Sequence, residues 1–236
     1  MLKIGFSTGA LYKSLSNDIS RVGILRRMGY PIIELGFMRL GDLTNQNIND
    51  LPRNILLDFS YRSFHAPVYG YQNDATTKYI FSKIAGLHAK LPLDLVVFHP
   101  DPVVDFGVFE DLPFRVGFEN MDNRKNSCQT PAELEAILAG SENFSLVLDL
   151  NHAYSNDPSM KLAAEFYKRL GPRIAQIHLS GYNGHHGSLF QTRQANIIRS
   201  IQDPTVPIII ESVVGPADLR KETFYIVWQI VMNGLR

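Results

Sequence analysis

Five apolar runs in this chain each close on a side chain able to bind a metal: LVVFHP at His99, RVGFEN at Glu119, LVLDLNH at Asp149, IAQIHLS at His178 and PIIIES at Glu211. A strand buried on both faces reads as a continuous Val/Ile/Leu run, and both faces are covered chiefly in parallel α/β sheets. In a closed parallel barrel every strand ends at the same rim. Imidazoles and carboxylates remote in the chain then converge at the C-terminal mouth, where such barrels carry their active sites.

Strand candidates begin near Leu2, Pro31, Leu57, Asp94, Phe114, Ser145, Arg173 and Pro207, with helix-like segments between them. Eight such units of roughly 30 residues predict an α/β chain forming one (β/α)8 TIM barrel, a single domain over residues 1–236. Helix starts are visible as Asn73-Asp74 before ATTKYIFSKIAGLHAK, Thr130-Pro131 before AELEAILAG with Gly140 as stop, and Asp157-Pro158 before SMKLAAEFYKRLG. The last helix, ADLRKETFYIVWQIVMNG, closes the ring against the first unit, and Trp228 is assigned to its packing. Between His99 and Glu119 the prolines, acids and Gly107 leave no room for a full helix, which predicts a shortened or missing helix after strand four. The gap so left is a candidate contact surface.

The chain has 236 residues, 45% of them apolar and 19% charged, ordinary values for a globular protein. No stretch approaches a membrane span, and MLKIGFSTGALYK is too short and polar in its apolar part for a secretory leader. The single cysteine, Cys128, excludes an internal disulfide framework and fits a reducing compartment, so a cytoplasmic location is expected. Basic and acidic residues balance at 23 each without runs of one sign, so there is no general basic footprint for nucleic acid. Bound cations would supply positive charge that such a count omits.

Six of the seven histidines, His65, His99, His152, His178, His185 and His186, lie at strand ends or in the loops that follow. His88, near a helix end, is read as a surface residue favoured by the helix dipole. Glu119, Asp149 and Glu211 follow apolar runs directly, and an ionised carboxylate in a barrel mouth is costly unless a cation compensates it. A mixed imidazole and carboxylate set suits Zn²⁺, Mn²⁺ or a similar ion. Asp149 and His152 can both face the mouth only if the strand breaks into a turn after Asp149, and Asn151 is assigned to holding that turn.

The ordered set HAP at His65, FHP at His99, FEN at Glu119, LDLNHA at Asp149, IHLS at His178, HHG at His185 and IIIES at Glu211 resembles the xylose isomerase-like TIM barrel superfamily. Within it, the nearest likeness is to the endonuclease IV family. The resemblance implies that His65 and His99 bind one zinc, that Glu119 bridges two, and that Asp149, His178 and Glu211 complete the second. It matches His152 and a later Asp-x-His pair to a third site, with His185 or His186 as the histidine. Asn183 stands where the Asp of that pair is expected, so two ions are the implied count. ENMDNRKN replaces the family's small, Gly-containing sequence after Glu-Asn, and HLSG lacks its Asn-Asp-x-Lys.

Two catalytic readings follow, each with Glu119 and Glu211 as catalytic residues. The first is metal-assisted phosphodiester hydrolysis, with a DNA substrate, in which Arg39, Tyr69 and Tyr71 resemble duplex-penetrating residues and Arg124 and Lys125 meet phosphates. The second is sugar or sugar-phosphate isomerisation or epimerisation at a single metal held by Glu119, Asp149, His178 and Glu211. Glu34 in IIELGF resembles the strand-two glutamate of those sugar enzymes. A third, non-catalytic reading makes the barrel a metal-stabilised binding module that uses the gap after strand four. No protein partner is evident in the sequence.

Overall fold

A computed structural model describes residues 2–45 and 53–234 of the chain. The barrel strands are β1 (Ile4–Ser7), β2 (Ile32–Gly36), β3 (Tyr61–His65), β4 (Leu95–Phe98), β5 (Val116–Glu119), β6 (Phe144–Asp149), β7 (Ile174–Leu179) and β10 (Ile208–Ile210). All pair in parallel, and β10 closes the ring between β7 and β1. An antiparallel hairpin, β8 (Gly181–Tyr182) with β9 (His186–Gly187), follows β7 at the mouth. The α-helices are α1 (Asp18–Arg27), α2 (Leu40–Asn45), α3 (Arg53–Leu56), α4 (Ala75–Lys90), α5 (Pro131–Leu138), α6 (Leu150–Asn156), α7 (Lys161–Leu170), α8 (Leu189–Thr192), α9 (Ala195–Arg199) and α10 (Leu219–Met232). The third strand starts later than the sequence predicts, because Arg53–Leu56 winds into α3 and Leu57 lies in the exposed turn after it.

Two predicted helix starts carry their caps. Asp74 Oδ1 accepts from Thr77 N at 2.7 Å, and Thr130 forms a capping box with Glu133. The third prediction fails for a local reason. Asp157 accepts from Ser159 N, Ser159 Oγ and Leu162 N, which holds the following residues in a turn, and Met160 takes a left-handed φ of 61° before α7 begins.

After β4 the only helical piece among the described residues is a 3-10 turn, Phe106–Phe109, so the crossover is shortened as predicted. The gap is not an open surface, however. Phe109 is fully buried there, with ring centroids 5.0–5.3 Å from those of Phe98, Phe118, Phe81 and Tyr71. α10 joins the first unit through Tyr30 Oη and Thr223 Oγ1, 2.9 Å apart. Trp228 lies on its outer face, 47% exposed beside exposed Phe224, Val231 and Met232, and is not a packing residue. His88 is half-buried and accepts from Leu93 N at 3.2 Å, so it ties down the chain after α4 rather than facing water.

Period-two alternation sends every second strand residue into the barrel. At the bottom, Leu95, Val97 and Val147 form a small apolar cluster apart from the main core, with Tyr61 and Ala175 against it. Gly117 is required here, since a Cβ would come within 2.8 Å of Val147 Cγ2. Beside this cluster come Glu34, Ser63 and Gln176, with Ser63 paired to Glu34 and Leu95 and Gln176 to Val147, and beyond them the rim residues. A register shift between β6 and β7 admits one extra residue, Ala175, and so pairs Gln176 with Val147 and His178 with Asp149.

Glu222 of α10 anchors the end of the ring. Its buried carboxylate accepts from Leu189 N at 2.8 Å, Phe190 N at 3.0 Å, Ser188 Oγ at 3.1 Å and also Ser212 Oγ. Glu222→Leu leaves these donors unmatched and is expected to lower the unfolding free energy by about 3–5 kcal/mol in urea denaturation. A loss below about 1 kcal/mol would show that the carboxylate anchors nothing.

Candidate metal centre

Glu119, buried at the end of β5, has imidazoles on both carboxylate oxygens. Oε2 lies 3.3 Å from His65 Nε2 and 3.1 Å from His99 Nε2. Oε1 lies 2.9 Å from His178 Nδ1 and 3.6 Å from His152 Nδ1. Asp149 ends β6 and caps α6, its Oδ1 accepting from His152 N at 2.8 Å, so the strand does break where the two side chains must share a face. The other oxygen, Oδ2, is buried without a hydrogen-bond partner among the described residues, 3.6 Å from His152 Nε2. Glu211 Oε2 lies 3.6 Å from His178 Nδ1.

Two overlapping groups have one ligand atom per residue within 4.8 Å of one another: His65, Glu119 and His178, and Glu119, Asp149, His178 and Glu211. The donor types suit a divalent transition ion. An orphaned buried carboxylate oxygen among them is what a cation would satisfy.

Asn120, which aims two of these ligands, escaped the sequence reading, whereas Asn151 is assigned there to the turn after Asp149. Asn120 accepts from Asp149 N at 2.7 Å, donates to Asp149 O at 3.0 Å, and through its carbonyl takes His152 Nδ1 at 2.8 Å, so His152 Nε2 is left for the site. Asp101 lies 4.0 Å from His99 Nδ1 and is held by Lys125 Nζ at 2.8 Å. Asn151 donates to Gly181 O at 2.6 Å, which fixes the start of α6 to the β8–β9 hairpin.

That hairpin separates its two histidines. His185 is exposed and contacts Arg124 at 3.2 Å, whereas His186 turns inward, with Nδ1 3.0 Å from Ser180 Oγ and its ring 5.7 Å from that of His152. His186, not His185, is therefore the histidine of this loop at the cluster. Asn183 is exposed in the turn. Of the residues read as meeting DNA, Tyr71 is a core residue that donates to Pro67 O, and Tyr69 donates to Asp74. Arg124 pairs with Asp122, Lys125 with Asp101, and Arg39 is exposed at the cleft.

Burial pushes the Glu119 carboxyl up, but the charge of His178 and hydrogen bonds from His178, His65 and His99 outweigh it and hold the group well below the usual range. Glu211 moves the other way, to about 8, through burial and the charges of Glu119, Glu34 and Asp149. Burial, reinforced by Glu119 and opposed by His152, takes Asp149 to about 6. His178 is raised well above the usual imidazole range, the charges of Glu211, Glu34 and Glu119 overcoming burial. His186 is pushed down to about 3 by burial and by His152.

The cluster forms the floor of a 540 Å³ cleft, which extends over Ser7, Tyr12, Asp18, Met38 and Arg39. No protein-family model and no curated protein sequence matches the chain. Solved structures do. A D-tagatose 3-epimerase-like protein superposes with TM-score 0.73 at 18% identity, covering 99% of this chain and 98% of that one. Endonuclease IV from Thermus thermophilus gives 0.68 at 16%, covering 98% and 99%. A D-psicose 3-epimerase in the presence of D-fructose gives 0.68 at 14%, covering 97% and 99%. The chain shares the (β/α)8 barrel fold of these structures. Barrels at this level of identity place their sites at the same rim but do not fix a shared activity.

The two loop histidines can be told apart by substitution. His186→Ala is expected to weaken Zn²⁺ binding about tenfold or more in a chelator competition, while His185→Ala leaves it within about twofold. The reverse order would place His185 at the cluster.

Proposed function

We propose that the protein is a divalent-metal-dependent enzyme that hydrolyses phosphodiesters at a two-ion centre, with Zn²⁺ or Mn²⁺ as the ions. The observation that carries this reading is the double environment of Glu119: two imidazoles face one oxygen at 3.1–3.3 Å, and His178 faces the other at 2.9 Å. A carboxylate so placed is suited to bridge two cations. His65, His99 and Glu119 would hold one, and Glu119, Asp149, His178 and Glu211 the other, with His152 and His186 beside them. Bound there, such ions lower the pKa of a coordinated water to about 7 and neutralise charge on an in-line displacement.

The chain's own residues supply position and charge. Glu119 and Glu211, on either side of His178 Nδ1, are the catalytic carboxylates in this reading, with Glu211 nearer the solvent at 16% exposure. Arg39 at the cleft is the side chain placed to meet a phosphate. Arg124 and Lys125 are neutralised by Asp122 and Asp101, and Tyr71 is held in the core, which argues for a small or flexible phosphodiester over a penetrated duplex.

A specific observation favours a second reading, sugar epimerisation or isomerisation at one ion. Glu119, Asp149, His178 and Glu211 by themselves bring four ligand atoms within 4.8 Å of one another, a set sufficient for one ion without the remaining histidines. In that case the two glutamates exchange a proton at a substrate carbon.

Metal analysis of the purified protein is expected to find two tightly held ions per chain. One would favour the sugar reading, and three would show that Asn183 does not prevent a further site. Hydrolysis of bis(p-nitrophenyl) phosphate and of abasic-site DNA, beside epimerisation of ketohexoses, separates the activities. Glu119→Gln is expected to reduce turnover at least about 1,000-fold and to lower bound metal. Full activity in this variant would remove Glu119 from the mechanism.

A further inference from the structure

His178 faces an acidic side chain at each ring nitrogen. Nδ1 points to the cluster, 2.9 Å from Glu119 Oε1, while Nε2 points to Glu34 Oε2 at 3.1 Å. Glu34 and His178 are both fully buried. Glu34 is fixed in turn, since its Oε2 accepts from Ser63 Oγ at 3.0 Å and from Gln176 Nε2 at 2.7 Å. Tyr61 donates to Gln176 Oε1 at 3.0 Å and so sets the amide with its nitrogen toward Glu34.

That amide nitrogen also lies 2.7 Å from His178 Nε2, and the contact makes two tautomers compete. With Nε2 bare, the ring accepts from Gln176 and keeps its proton on Nδ1, where it blocks the lone pair from the cluster. With Nε2 protonated, the ring donates to Glu34 and Nδ1 is free. A carboxylate opposite a bare imidazole nitrogen is repulsive, whereas opposite an N–H it forms a charge-assisted hydrogen bond. Glu119, 2.9 Å from Nδ1, makes the same demand on the other nitrogen in the cation-free cluster; with a cation on Glu119 and Nδ1, Glu34 alone fixes the ring proton, on Nε2. The other oxygen of Glu34, Oε1, is buried without a partner among the described residues, a cost that the bond to His178 offsets.

We infer that Glu34 is a positioning residue: it holds the ring proton of His178 on Nε2, so that Nδ1 is available to a cation. This rests on the metal reading proposed above. The residue touches the ligand ring at the nitrogen turned away from the cluster, does not line the cleft, and acts only through the imidazole.

The test is calorimetric titration of the full chain with Zn²⁺ against a competing chelator, for the unsubstituted protein, Glu34→Gln, and the exchange Glu34→Gln with Gln176→Glu. The exchange returns one carboxylate to the pocket at His178 Nε2. Glu34→Gln is expected to weaken binding 10–100-fold, on the order of other such outer contacts, and the exchange to recover most of the loss. Long-range ¹H–¹⁵N spectra of the Zn²⁺-loaded protein should show His178 protonated on Nε2, with the hydrogen-bonded shift of that proton lost in Glu34→Gln. Unchanged affinity with an unchanged Nε2 proton signal in Glu34→Gln would overturn the inference, as would a folded exchange variant that binds no better than the single one. If Glu34→Gln does not fold, the exchange variant alone decides: Zn²⁺ affinity within about tenfold of the unsubstituted protein supports the inference, and a larger loss overturns it. An unsubstituted protein that takes up no Zn²⁺ fails at an earlier step and removes the metal reading together with this one.

Discussion

Glu34, Glu119 and Asp149 are carboxylates taken fully out of water within one barrel, and the arrangement around them follows from the need to compensate that charge. Each such ion costs several kcal/mol to bury, and loses that cost only to well-placed partners. The partners here are imidazoles, and they share one construction. His65 has Nδ1 at 3.2 Å from Ala66 O, His152 has Nδ1 on Asn120 O, His178 has Nε2 on Glu34, and His186 has Nδ1 on Ser180 Oγ. One ring nitrogen is tethered to the scaffold in each case. For His65, His152 and His178 the other nitrogen faces the acids, the pattern by which proteins fix the orientation of a metal-binding histidine.

The same demand shapes the barrel below the rim. A layer of Glu34, Ser63 and Gln176 occupies positions that apolar side chains would otherwise fill, leaving only Leu95, Val97 and Val147 as an apolar cluster inside the ring. Stability is carried instead by the outer faces of the strands against the helices, where Phe64, Phe98, Phe118, Ile177 and Ile210 join the main core. The division is possible because a strand presents its two faces independently. Apolar packing outside and polar positioning inside are written on alternate residues of the same three to six positions.

That alternation explains what could be read from the chain directly. Strand ends were legible because a His or Glu closing an apolar run is conspicuous, and the position of such residues in a parallel barrel is dictated by topology. Gln176, Ser63 and Asn120 were not. Neutral groups inside or beside an apolar strand carry no charge signature, and their roles depend on partners more than 25 residues away, as with Gln176 and Glu34. His185 and His186 are adjacent at a two-residue strand, where a shift of one position reverses the face and no periodicity exists to choose. Tyr71 and Trp228 misled in opposite directions. A loop tyrosine became the centre of an aromatic cluster, because the crossover after β4 has no helix to cover Phe98, while a helix tryptophan went to the outer face, because Tyr225, Ile226, Gln229 and Ile230 already fill the inner one.

The balance between the two chemistries comes down to which oxygen of Glu119 matters. An enzyme with one ion needs only the side shared with Asp149, His178 and Glu211. The other side then holds His65 and His99 against Oε2, with Asp101 set 4.0 Å from His99 and paired to Lys125 at the cleft. Such an arrangement is an elaborate means of burying two imidazoles if their only partner is a carboxylate. It also consumes Lys125, just as Asp122 consumes Arg124, so the cleft keeps few uncommitted cationic side chains for an anionic substrate. A phosphodiester would then draw its compensating charge from ions on both sides of Glu119, which is why the second pair of histidines weighs toward hydrolysis.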